Sequence, residues 1–455
     1  MPIISVNPAT GETIRSYPEH SPGDVQDALE RAARDAAEWR PSAFAKRAAV
    51  MRAAGRRLRS RVEDHARLAA QEMGKPLAQG RSEVEKCAWL CDYYAQHAEG
   101  FLSPEPVATD AAKSYVAFEP LGVILAVMPW NFPFWQVFRA AVPALMAGNA
   151  VMLKHAANVP GCALAIEDTF QRAGLPAGLF RTLLVGSAQV AGIIEDPRLA
   201  AVTLTGSTPA GQAVAAKAGS MLKKTVLELG GSDPYLILED ADLEPTVEAC
   251  ASSRLINGGQ SCIAAKRFIV VGSIRRRFEE RLVERMRAQT MGDPLQEGVT
   301  IGPMARHDLR DALHAQVTKS LAQGARLLLG GAIPESKGAY YPPTVLTDVR
   351  RGMPACDEET FGPVAAVIGV ADEAEAIRAA NDSPFGLGAA VFTKDRERGE
   401  RIAAHELRAG CCFVNAFVRS DPRLPFGGIK QSGYGRELSS FGIREFVNVK
   451  TIYVK

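Results

Sequence analysis

The chain has 455 residues, with 53 Lys and Arg against 51 Asp and Glu. At roughly 150 residues per domain, that length accommodates two or three domains with large cores, and the balanced charge supplies no global field for nucleic acid or an anionic membrane. Eight cysteines and seven histidines, with no Cys-x-x-Cys pair, are too dilute and scattered for a disulfide framework or a metal cluster. Reduced thiols and no metal are therefore expected. Met1-Pro-Ile-Ile-Ser-Val6 lacks a basic flank and a long apolar stretch, and the most apolar internal run, 121–128, falls far short of the roughly 18 residues a span needs. A cytoplasmic protein with small-molecule partners is the expectation.

An opening strand and a turn at Asn7-Pro-Ala-Thr-Gly-Glu12 precede a helix near 24–40, whose Val25, Ala28, Leu29, Ala32, Ala33 and Ala36 form one apolar stripe. The next helical stretch carries Arg52, Arg56, Arg57, Arg59 and Arg61, which read as a solvated face rather than an anion site. From residue 121 the pattern changes to short apolar runs separated by helical segments: 122–128, 150–153, 182–185, 201–205 and 225–229. Continuous apolar strands alternating with helices imply a parallel sheet covered on both faces. A second series follows, with strands at 235–238 and 268–271 and helices from 243 towards 257 and near 274–287. The break at Gly230-Gly231-Ser232 separates two α/β units, and a cleft between them is the natural place for chemistry.

Two segments flank that break. Asn257-Gly-Gly-Gln-Ser-Cys262 presents a soft nucleophile behind two glycines, and Leu227-Glu-Leu-Gly-Gly231 presents a carboxylate, Glu228, beside two more. Covalent capture of a carbonyl followed by hydrolysis requires that combination. Taken alone, Cys262 is also compatible with core packing and Glu228 with a strand-end salt bridge. Leu204-Thr-Gly-Ser-Thr-Pro-Ala-Gly211 runs from a strand into a helix, where Ser207 or Thr208 can cap and Pro209 suits the first turn. Its free N–H groups suit a phosphate, although many such turns bind nothing, and the Gly-x-Gly-x-x-Gly dinucleotide fingerprint is absent.

Pro129-Trp-Asn-Phe-Pro133, Lys154-His-Ala156, Thr205-Gly-Ser-Thr208, Leu227-Glu-Leu-Gly-Gly231, Gly259-Gln-Ser-Cys262, Glu359-Thr-Phe-Gly-Pro363 and Pro425-Phe-Gly-Gly428 follow one another in this order. Over nearly its whole length the chain resembles the NAD(P)-dependent aldehyde dehydrogenases. Within that superfamily it is most similar to bacterial succinate-semialdehyde dehydrogenases in 132–139, 153–156 and 262–267. The resemblance implies an α/β fold of two Rossmann-like domains with a small β oligomerisation element. Residues 1–113 and 123–231 would bind NAD(P), 232–432 would carry the nucleophile, and 114–122 with 433–455 would build a homodimer or homotetramer.

By the same resemblance Cys262 attacks the aldehyde as a thiolate, which its site should help to form. Asn131 supports the oxyanion, and Glu228, its pKa raised by burial, activates the hydrolytic water. Lys154 and Glu359 go to ribose hydroxyls, Gly206 and Ser207 to the pyrophosphate, Trp130 to the adenine-side wall and Phe361 to the nicotinamide, with Gly186 and Leu229 also in the cofactor site. Many NAD-preferring relatives carry Glu where this chain has Ala157, so a 2′-phosphate is not repelled and the cofactor is NAD or NADP.

For the substrate, Arg139 lies eight residues after Asn131 on what should be one helix and is placed to hold a distal carboxylate. Ile256 stands where some relatives have a second arginine, which leaves Arg419 beside Ser420 as the alternative cation. Of the aromatic residues Phe132, Phe134, Trp135, Phe138 and Phe417, core packing accounts for at least half. The implied reaction is oxidation of succinate semialdehyde through a thiohemiacetal and a thioester. Glutarate semialdehyde or a broader aldehyde set, coenzyme A acylation, and a non-catalytic protein of the same fold are the alternatives.

Overall fold

The computed structural model describes residues 2–455. Its first sheet has six strands in the order Gly433–Tyr434, Lys224–Glu228, Leu199–Thr205, Val123–Met128, Ala150–His155 and Phe180–Thr182, all parallel except the first. The second has seven, in the order Arg326–Leu329, Thr344–Thr347, Val364–Val370, Ala265–Val271, Asp233–Ile237, Gly388–Phe392 and Cys411–Val414, again parallel apart from the first. Helices on both faces bury these strands, which is why they read as continuous apolar runs. The strand expected at 182–185 lies earlier, at Phe180–Thr182: the Leu183 amide still donates to the Leu153 carbonyl, but its own carbonyl accepts locally from Val185, and the pairing ends there.

The third sheet is antiparallel and small. Val447–Val454 pairs with Lys113–Pro120, which also pairs with Glu105–Pro106. The segment from 433 is thus divided: Gly433–Tyr434 extends the first sheet against Lys224–Glu228, and only the last strand joins the third. Ile3–Val6 and Thr13–Tyr17 pair across the opening turn.

The chain enters the second sheet immediately after Glu228, so the end of one sheet and the start of the other lie on adjoining walls. A helix at Trp135–Ala147, buried along its whole length, carries Arg139. Asn131 precedes this helix rather than sharing it: residues 130–132 form a bend and 133–134 a turn, and Pro133 disfavours helix at the residue before it, so the helix starts only at Trp135. The helix lacks a cap of its own. Glu83, from helix Leu77–Phe101, reaches across to accept from the Phe134 and Trp135 amides at 2.8 and 2.9 Å and pairs with Lys75. That satisfies orphan donors at the positive end of the helix dipole.

All eight cysteines are free thiols, and no helix among the described residues is long and apolar enough to cross a membrane. The basic cluster is a paired surface: Arg57 meets Asp168, Arg59 meets Asp92 and Arg61 meets Asp64.

Glu83→Ala leaves a buried ammonium and two helix amides without partners and is expected to cost about 3–5 kcal/mol in equilibrium urea unfolding. Adding Lys75→Met removes the stranded charge and should recover part of that loss.

Candidate active site

Cys262 follows a turn of unusual backbone. Asn257, Gly258 and Gly259 all have positive φ, at 53°, 61° and 76°. A Cβ on Gly259 would lie 2.2 Å from the Gly362 carbonyl oxygen, so glycine is required on both conformational and steric grounds. Buried hydrogen bonds fix the turn: Arg254 donates to the Gly259 carbonyl at 2.7 Å, Asn257 to the Asn131 carbonyl at 2.7 Å, and Lys266 to the carbonyls of Ser261 and Cys262 at 2.8 and 2.6 Å. On the facing wall, a Cβ on Gly231 would lie 2.6 Å from the Cys262 carbonyl oxygen, and one on Gly230 would lie 2.6 Å from Glu359. The paired glycines let the two motifs touch.

The Cys262 thiol lines a cavity of about 280 Å³, at the small end of the roughly 300–1,000 Å³ usual for ligand pockets. The thiol is not poised as thiolate. Burial first, and then Glu228, push its pKa up to about 12, against the opposing pull of Arg139 and Lys266. The expectation of a site that favours deprotonation is therefore reversed, because water is excluded and the strongest charge acting on the thiol is negative.

Glu228 is 2% exposed, and neither of its carboxylate oxygens is hydrogen-bonded. Burial, reinforced by Glu437, holds its pKa well above the carboxylate range although Arg139 opposes the shift. Here the sequence-based expectation and the structure coincide. Asn131, 4% exposed, donates one side-chain N–H to the Gln260 carbonyl at 3.1 Å and thereby keeps its amide beside the nucleophile turn. An amide has two such donors, so one remains for an oxyanion.

Arg139 lines the same cavity but is deeply engaged. Its Nε lies 2.6 Å from Glu437 and its Nη2 3.5 Å from Glu228, while Nη2 also reaches Thr205 at 3.4 Å and the guanidinium covers the Phe426 ring at 4.8 Å. Glu437 carries no signal in the sequence. It reaches the site through backbone pairing with Phe426, at 2.8 and 2.7 Å in the two directions. Phe132, Trp135, Phe417, Arg419 and Ser420 also line the cavity, whereas Phe134 and Phe138 are fully buried core. Arg419 is exposed and Ser420 buried. Lys86, which sequence reasoning missed, lies in the same wall and donates to Ser420 Oγ at 2.8 Å.

The expected cofactor residues divide into two groups. Ser207 caps helix Thr208–Ser220 and accepts from the Ala210 amide, with Gly206 just before it donating to the Glu228 carbonyl at 2.9 Å. Gly186 opens a single turn of helix and donates to Glu19 at 2.9 Å. Lys154, half-buried at the end of its strand, has its pKa lowered by burial and pairs with no carboxylate among the described residues. Both side-chain polar atoms of nearby Asn158 are buried without a partner. Orphaned polar groups beside an unpaired cation and a capped helix end suit a polyhydroxylated, anionic ligand, so these residues fit a dinucleotide.

Glu359, Phe361 and Trp130 form the second group. Glu359 accepts from the Gly231 amide at 3.0 Å, and Phe361 meets Trp130 edge to face at 5.8 Å between centroids. Trp130 thus lies directly against Phe361 rather than at a separate wall, so the two rings would meet the same part of an extended dinucleotide. Leu229 is 5% exposed and its methyls lie where a Gly211 side chain would project, so it packs the strand against helix Thr208–Ser220.

A profile of the aldehyde dehydrogenase family matches residues 2–452. The chain is 50% identical over 450 residues to the succinate semialdehyde dehydrogenase [NAD(P)+] Sad of Escherichia coli K12, covering 99% of this chain and 97% of that protein. It is 49% identical over 454 residues to a probable succinate-semialdehyde dehydrogenase [NADP(+)] of Synechocystis sp. PCC 6803, across 100% of both. The crystal structure of succinic semialdehyde dehydrogenase from Streptococcus pyogenes in complex with NADP+ superposes with a TM-score of 0.97 at 37% identity, covering 99% of each chain. With the nucleophile turn, the buried carboxylate and the two parallel sheets arranged in this way, the chain belongs to the aldehyde dehydrogenase family.

Proposed function

We propose that this chain oxidises succinate semialdehyde to succinate with NAD or NADP, in the cytoplasm and as a homodimer or homotetramer, and that it needs no nucleic acid or membrane. One observation carries the reading. The wall of the cavity that exposes Cys262 also bears Lys86, Arg139, Arg419 and Ser420, so a small aldehyde held at the sulfur would have cations within reach of its other end. The names of the relatives agree with it.

Cys262 adds to the aldehyde carbon: the S–C bond forms, the carbonyl π electrons move to oxygen, and the thiol proton leaves to Glu228. Asn131 donates its free side-chain N–H to the resulting oxyanion, as the geometry of its Gln260 bond permits. Lys154, Gly186, Gly206, Ser207, Leu229, Glu359, Phe361 and Trp130 are the residues that would hold the dinucleotide, Leu229 by bracing the helix end behind it. When bound, NAD(P)+ supplies the two-electron oxidising capacity that turns the thiohemiacetal into a thioester. Glu228, once it has passed the thiol proton to solvent, takes a proton from the water that attacks the thioester carbon and returns it to the departing sulfur. The C–S bond breaks, succinate leaves, and Cys262 is restored.

Burial suits Glu228 to this work. A carboxylate of ordinary pKa is too weak a base at neutral pH, whereas one raised by desolvation approaches the pKa of its task. The cost is that a larger fraction is protonated at pH 7, and deprotonation on raising the pH restores the base.

Asn131→Ala is expected to lower kcat by about a hundredfold to a thousandfold, the usual cost of one oxyanion donor, in steady-state assays that follow NAD(P)H. With wild type, kcat should rise with pH through the raised pKa of Glu228, because the base acts only when deprotonated. Rapid-quench measurement of thioester hydrolysis between pH 6 and about 9 checks that limb, and a rate independent of pH would remove Glu228 from the role.

A further inference from the structure

Three cations line the cavity, and they differ in what already occupies them. Arg139 is held by Glu437 at 2.6 Å and Glu228 at 3.5 Å, so its charge is shared between two buried carboxylates before any substrate arrives. Arg419 is exposed, where solvent and counter-ions screen it. Ile256, also in the lining, adds no charge. Lys86 differs from all of these. It is half-buried, and among the described residues no carboxylate pairs with it. The acidic groups that face it are spent elsewhere: Glu83 on Lys75 and two helix amides, Asp421 on Arg423 at 2.6 Å.

We propose that Lys86, bonded to Ser420 and seated on the ring of Trp135, is the cation that receives the distal carboxylate of the substrate. The inference rests on the semialdehyde-acid reading given above. Lys86 Nζ lies 4.2 Å from the Trp135 ring centroid and donates to Ser420 Oγ at 2.8 Å. An ammonium has three donors, so this arrangement leaves N–H groups for an incoming anion. Ser420, acting as acceptor towards Lys86, keeps its own O–H to donate to a second carboxylate oxygen.

Rigidity supports the same assignment. Lys86 stands on helix Leu77–Phe101, one turn beyond Glu83, which fixes the start of the Trp135 helix. The ammonium and the ring beneath it are thus anchored to a common support, and the distance from charge to thiol is set by packed helices rather than by a loop. Burial and Arg139 lower the Lys86 pKa to about 8, which leaves most of it charged at neutral pH. A substrate carboxylate at hydrogen-bond distance would favour the charged form further.

The test compares kcat and KM for succinate semialdehyde and for butanal, an aldehyde of the same length without the carboxylate, in wild type, Lys86→Met and Lys86→Arg. Loss of a charge-assisted contact predicts that the ratio of kcat/KM for the acid over butanal falls about ten- to a hundredfold in Lys86→Met. The loss should lie mainly in KM for the acid, and Lys86→Arg should recover part of it. Inhibition by succinate should weaken in step. If circular dichroism shows Lys86→Met unfolded, Lys86→Gln and Ser420→Ala carry the same comparison. A wild type that prefers the acid, with the ratio unchanged in the Lys86 variants, overturns the assignment but leaves the substrate reading standing. A wild type with no preference for the acid overturns the substrate reading itself, and the Lys86 assignment with it.

Discussion

A thiol and a carboxylate, both buried, act on each other electrostatically beside one arginine. Removing water raises the pKa of Cys262 and of Glu228 alike, since each is charged only when deprotonated. Arg139 opposes both shifts, and Glu437 on its other side limits how far it can do so. Two buried carboxylates around one guanidinium cannot both be fully ionised at low cost, so the group holds a proton that can move. The approach of the two sheets enforces this arrangement: Gly231 lets the Cys262 carbonyl come close, and Gly259 lets the nucleophile turn press on the Gly362 backbone.

The thiol consequently needs help to attack. A thiol with its pKa near 12 is a weak nucleophile, and its proton needs an acceptor at the moment of attack. On the proposed mechanism Glu228, the charge that acts most strongly on the thiol, is that acceptor, and it acts on water once it has passed the proton to solvent. In the proposed mechanism one buried base serves capture and release in turn, which no exposed glutamate of ordinary pKa would do as well.

Much of this was legible in the sequence. Continuous apolar runs between helical segments gave the parallel sheets within a few residues, and the motifs around Glu228 and Cys262 pointed to a nucleophile and base at a domain junction. What the sequence could not provide was distance. Glu437 comes from a segment expected to serve assembly, and only its pairing with Phe426 carries it to Arg139. Lys86 reads as one charge among many on a long helix, and its role depends on Ser420, far along the chain. The eight-residue spacing of Asn131 and Arg139 suits one helix, but the bend and turn around Pro133 delay its start to Trp135. The direction of the thiol's pKa failed for a related reason: the mechanism asks for a thiolate, whereas desolvation is a property of the assembled walls that no motif reports.

The central claim is that Cys262 carries an acyl group that Glu228 alone is placed to release. Glu228→Gln, mixed with succinate semialdehyde and excess NAD(P), tests it most directly by rapid kinetics and intact-protein mass spectrometry. The account predicts a slowed first turnover, because the acceptor of the thiol proton is gone, that ends at one equivalent of NAD(P)H per active site and then stalls, with a succinyl group retained on Cys262. Continued turnover at the wild-type rate with no adduct on Cys262 would contradict it.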